Sequence, residues 1–133
     1  MSHFSDGQLT SIAQQFHDVS VAVGQFRLSK IHDGMALDEP GIVQLLALQW
    51  SLLNTSSSFF LQAAQVTLAD ADKAAAQITL ATNAANDALK TLNTINKVIN
   101  IASAAGVLSA AIMTGDITQV ASAAKGVYTA VAD

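Results

Sequence analysis

The chain has 133 residues, 51% apolar but only 5% aromatic and 12% charged, with a formal net charge of −4 and no cysteine. That length is enough for one domain with its own core. Six Lys and Arg scattered from Arg27 to Lys125 form no basic patch, so nucleic acid is excluded as a partner, and the lack of cysteine excludes a disulfide framework or thiolate chemistry. Much of the apolar content is alanine and there is a single proline, which predicts an all-α fold: Ala loses no side-chain entropy in a helix, and Pro is the main helix breaker.

The first helix is expected over residues 5–30. Ser5 and Gln8 have the spacing of a capping box, and Leu9, Ile12, Phe16, Val19, Val23 and Phe26 then step by three and four, a coiled-coil-like seam. Gly24 weakens this helix modestly. Asp33-Gly34 is a turn signal.

Asp38-Glu39-Pro40 supplies a cap, a first-turn acid and an early proline, so a second helix is expected over 38–69. No charge occurs from Pro40 to Ala69. One seam runs through Leu45, Leu48, Leu52, Thr55, Phe59, Gln62, Val66 and Ala69, and a second stripe (Leu46, Trp50, Leu53, Phe60, Ala64) lies beside it. Two adjacent stripes predict burial on most sides, which makes this the expected central helix, with Trp50 in the core. Ser56-Ser57-Ser58 are positioned to bend it.

Asp70 and Asp72 mark either a break or a polar patch. A third, long helix is expected over 73–113, with the seam Ile78, Ala81, Ala85, Ala88, Leu92, Ile95, Ile99 and Ala102 opposite Asn83, Asn86, Asp87, Lys90 and Asn93. Thr114-Gly115-Asp116 is a turn, and Asp116 can cap a last helix over 117–132. The quartet Ala-Ser-Ala-Ala occurs at 102–105 and again at 121–124, each followed soon by Gly-Val, which suggests two similar helices folded on one another. Small residues recur every fourth position at Ala102, Gly106 and Ala110, and at Ser122, Gly126 and Ala130. Such rows allow close helix approach in membranes, and Ala-rich helices also produce them by chance. The whole chain, 1–133, is thus expected to form one elongated bundle of three to five long helices ending in an apolar helical hairpin. No segment alternates with period two, so strands are not expected.

Catalytic and cofactor signals are missing. His3, His17 and His32 lack metal-ligand spacing, and the aspartates near them (Asp6, Asp18, Asp33) read as solvated neighbours rather than dyads. Asp70 and Asp72 are two apart and point to different sides of a helix. No nucleophile elbow, phosphate loop or dinucleotide fingerprint is present. The expectation is a non-enzymatic protein without metal or cofactor. The N-terminal residues lack a conventional secretory leader pattern, which fits cytoplasmic residence or export by a non-classical route.

The candidate functional residues lie in the C-terminal hairpin: Val98, Ile99, Ile101, Ala102, Gly106, Val107, Leu108, Ala110, Ile112, Met113 and Gly126. Each arm, 98–113 and 117–132, would be about 24 Å long as helix, against a hydrocarbon core of about 30 Å. The run from Ile95 to Asp116 resembles the apolar helical hairpins of bacterial α-helical pore-forming toxins of the cytolysin A type. That resemblance takes in residues 95–132, somewhat over a quarter of the chain, and implies a bundle that stores an apolar hairpin and inserts it into lipid on assembly. Three functions are therefore expected, in order: a membrane-docking or pore-forming component; a structural subunit pairing with itself or another helical protein; and a carrier of lipid or another small ligand.

Overall fold

A computed structural model describes residues 2–133, about four-fifths of which are helical. Five helices follow in order: α1 (Asp6–His32), α2 (Pro40–Ala63), α3 (Ala71–Leu89), α4 (Ile95–Met113) and α5 (Ile117–Ala132). Among the described residues the only strand-like pairing is an isolated bridge between Ser2 and Leu68.

Local chemistry starts each helix. Ser5 Oγ accepts from the Gln8 amide at 3.1 Å while Gln8 Oε1 accepts from the Ser5 amide at 2.9 Å, a complete capping box. Glu39, not Asp38, caps α2: its carboxylate accepts from the Ile42 amide, with Pro40 in the first turn, where a missing N–H costs nothing. Asp70 caps α3 through the Lys73 amide, and Asp116 caps α5 through the Thr118 amide. The acidic pair at 70 and 72 therefore marks a helix start. Asp72, in the first turn, accepts a 2.7 Å hydrogen bond from Gln8 Nε2 of α1.

The helices form two layers. α2, α4 and α5 lie side by side with α4 in the middle, and α1 and α3 cover one face of that sheet of helices. α1 runs antiparallel to α2, with Phe16 against Phe59 (ring centroids 6.0 Å apart) and the Ser20 hydroxyl donating to the Gln49 carbonyl at 3.1 Å. It runs parallel to α3, where buried Thr82 donates to Gln15 Oε1 at 2.6 Å and Gln15 Nε2 reaches Thr79 Oγ1. Leu9, Ile12, Phe16, Val19 and Val23 of the α1 seam are buried, as are Leu45, Leu52 and Phe59 of the α2 seam.

Three expectations are corrected. The helix over 38–69 is shorter, ending at Ala63, and it is not central; α4 is the helix that touches the other four. Second, the stripe Leu46, Trp50, Leu53, Phe60 and Ala64 is not core: Trp50 and Phe60 are exposed and the others half-buried. α2 packs only on α1 and α4, so its outer side meets no other helix of this chain. Third, 73–113 is two helices separated by residues 90–94. The apolar spacing runs on without a skip through Ala88, Leu92 and Ile95, which hides the break. The cluster Thr91, Asn93 and Thr94, each a poor helix former that competes for backbone hydrogen bonds, supplies it.

Candidate functional site

Charge is segregated between the layers. α2 has no charged residue, α4 only Lys97, and α5 only Lys125, whereas α1 and α3 carry Asp6, Asp18, Arg27, Lys30, Asp72, Lys73 and Asp87. The outer surface of the α2–α4–α5 layer is therefore almost uncharged. Large apolar side chains stand on α2 and α4: Trp50 is 55% exposed and Val107 61%, and Val43, Phe60 and Leu61 of α2 are exposed as well. Isolated exposed hydrophobics are ordinary; several on neighbouring helices without interspersed charge are characteristic of a surface that docks.

Two open grooves run along this layer. One, between α2 and α4, is floored by Gly106, Ser109, Ala110 and Met113 and walled by Trp50 and Asn54. The other, between α4 and α5, has a volume of about 520 Å3 and is lined by Ala104, Val107, Ala110, Ser122, Ala123 and Gly126. The ridge between them is the outward side of α4.

The sequence-predicted hairpin residues separate into two sets. Val98, Ile99, Ile101, Ala102, Leu108 and Ile112 point inward and are buried, so they hold the bundle together. Val107, Ala110 and Gly126 are exposed, and Gly106 and Met113 are half-exposed. The two glycines do not seat α4 on α5. A Cβ added at Gly106 or Gly126 would meet nothing within 4 Å, whereas Ala105 and Ala111 of α4 and Ala123 and Ala124 of α5 are buried in the core. The rows of small residues at 102–110 and 122–130 therefore lie largely on the open side. Trp50, Val43 and Leu61 were not read as functional from the sequence. The available signal was the spacing Val43, Ala47, Trp50, Asn54, Leu61, which gives α2 a further seam on the side away from α1.

His17 Nδ1 lies 4.0 Å from Asp18 Oδ1 with both side chains about half exposed, on the opposite layer. Among the described residues no group of three or more His, Asp or Glu is placed to hold a metal ion. By length and composition alone α4 could cross a membrane, with a mean hydropathy of 1.5, and half of its apolar stretch is buried inside the bundle.

No protein-family model, curated protein or solved structure matches this chain.

Proposed function

We propose that the protein works without catalysis, as a helical subunit that assembles by covering the uncharged outer face of α2, α4 and α5. The observation that supports this most is the division of charge: nearly all of it is on the α1–α3 layer and the connecting segments, while Trp50 and Val107 stand exposed on the opposite face. Uncharged apolar surface tends toward burial, at roughly 25 cal/mol per Å2 of apolar area removed from water. Ser51, Asn54, Ser58, Gln119 and Ser122 line the grooves between the apolar residues. Small, uncharged polar groups of this kind suit a wet helix–helix interface better than a hydrocarbon environment, where each lost hydrogen bond is costly.

A second reading, docking on or insertion into lipid through the α4–α5 hairpin, draws on the apolar length of α4 and on the resemblance of residues 95–132 to pore-forming hairpins. It carries a larger structural cost. α4 touches every other helix, so its release would strip the core of its common partner rather than unfold a peripheral arm. Lipid docking without release would use the same outer face.

Trp50, the only tryptophan, is a built-in reporter of that face. Its emission maximum and acrylamide quenching, followed across protein concentration and on addition of vesicles, test the proposal. Shielding of Trp50 as the chain associates supports it. Trp50 that stays water-accessible at every concentration, with and without lipid, overturns it.

A further inference from the structure

We infer that residues 65–69 are a strap across the tip of the α4–α5 hairpin, that the strap opens while all five helices stay folded, and that Ser2 is its catch. This device is independent of what covers the outer face of α2, α4 and α5.

The strap is lightly held. Of residues 65–69 only Leu68 is buried; Gln65, Thr67 and Ala69 are exposed and Val66 is half-buried. The helices on either side close without it. The Ala64 amide ends α2 on the Phe60 carbonyl at 3.2 Å, and Asp70 caps α3 by accepting from the Lys73 amide at 3.0 Å. Lifting the residues between these two points therefore breaks no helix. Segments with few buried contacts and solvent-exposed backbone are the first to open.

Ser2 fastens the strap. Its amide donates to the Leu68 carbonyl at 2.7 Å, and its carbonyl accepts from the Leu68 amide at 2.8 Å. Its hydroxyl accepts from the Ala71 amide at 2.8 Å. Among the described residues no other hydrogen bond reaches the strap from a distant segment. Phe4, 5% exposed, anchors the N-terminal segment two residues further on.

The hairpin tip is what the strap restrains. A Cβ on Gly115 would lie 2.8 Å from the Thr67 carbonyl oxygen and 3.5 Å from Val66 Cγ1. Gly115, with φ of +71°, makes the turn from α4 into α5. Catch, strap and turn thus stand in series: Ser2 on Leu68, then Thr67 on Gly115. Opening the strap frees the turn while Leu108 and Ile112 of α4 stay buried, a much smaller motion than release of the whole hairpin.

Amide hydrogen exchange of the full chain, read residue by residue, tests the inference on the wild type, Ser2→Ala, Ser2→Pro and Gly115→Ala, with circular dichroism to verify each fold. In the wild type the Leu68 and Ala71 amides should share one protection factor, at least about tenfold below those of the α3 core around Ile78 and Ala81. Low urea should leave that shared value nearly unchanged while core protection falls, because opening exposes a single buried side chain. Ser2→Ala removes the acceptor of the Ala71 amide but leaves the Leu68 amide its carbonyl partner. A concerted opening nonetheless lowers protection at both, by about three- to tenfold, and Ser2→Pro, which also removes the donor to the Leu68 carbonyl, lowers it further. Gly115→Ala, pressing on Thr67 from the other side, should lower the same two values although residue 115 bonds to neither amide. Leu68 and Ala71 amides that exchange with the rate and urea dependence of the core overturn the inference, since the strap then opens only on global unfolding. So does a Ser2→Ala chain in which Ala71 alone loses protection, or a Gly115→Ala chain in which both amides keep it.

Discussion

Gly115 and Thr67 lie so close that a Cβ on the glycine would be 2.8 Å from the Thr67 carbonyl oxygen. Gly115 turns the chain from α4 into α5 with φ of +71°, and Thr67 belongs to the α2–α3 connection. The next residue, Leu68, exchanges backbone hydrogen bonds of 2.7 and 2.8 Å with Ser2, whose hydroxyl also accepts from the Ala71 amide. The tip of the C-terminal hairpin is thus seated on a connection that the N-terminal residues tie down. Gly115→Ala meets two obstacles, an unfavourable left-handed conformation and a backbone oxygen that cannot swing aside. It should cost about 1–3 kcal/mol, measured by urea denaturation, where Gly34→Ala, with a positive φ but open space, should cost less.

Truncation along the α2 seam should follow burial residue by residue. Leu52 is fully buried and Leu52→Ala should cost about 2–5 kcal/mol. Leu48 packs only partly against the core, so Leu48→Ala should cost distinctly less. Equal losses in thermal or denaturant midpoints would contradict the difference in burial between the two residues.

Ile112 and Val107, five residues apart on α4, should respond in opposite ways to lysine. Ile112 is completely buried, and a charge there has no partner, so Ile112→Lys should cost more than about 4 kcal/mol and abolish the cooperative thermal transition. Val107→Lys places its ammonium in water and should change monomer stability by no more than about 0.5 kcal/mol. A lipid-insertion assay on the Ile112 variant would therefore report unfolding; Val107 is the residue with which to test the surface.

Thr82→Val should destabilise by about 1–2 kcal/mol without creating a cavity. The valine keeps the shape but removes the hydroxyl that donates to Gln15 Oε1, leaving that oxygen short of a partner at the α1–α3 contact. Restoration of stability by pairing Thr82→Val with Gln15→Leu would show that the loss lies in this hydrogen bond.

Much of the architecture was legible along the chain. Helical class followed from alanine content and three–four spacing, and the starts of α1 and α5 from Ser5 with Gln8 and from Asp116, because capping depends on residues a few positions apart. The buried seam of α1 was readable for the same reason: Leu9 through Phe26 share one side of a single helix whatever that side meets. The orientation of α2 was not readable. Its two stripes are equally apolar, and only the placement of α1 and α4 decides that Leu45, Leu52 and Phe59 go inward while Trp50 stays in water.

The hairpin shows the same division. Composition marked residues 98–132 as a continuous apolar segment, but periodicity alone does not say which neighbours a helix has. The tertiary structure made α4 the shared core element, burying Ile101, Leu108 and Ile112 and leaving Val107, Gly106 and Gly126 on the open side. The physical reason is that local sequence governs which residues share a helix face, through the 3.6-residue turn and the caps. Which face is covered depends on contacts between segments far apart in the chain, such as Gly115 on Thr67 and Ser20 on Gln49, and no short-range pattern encodes those.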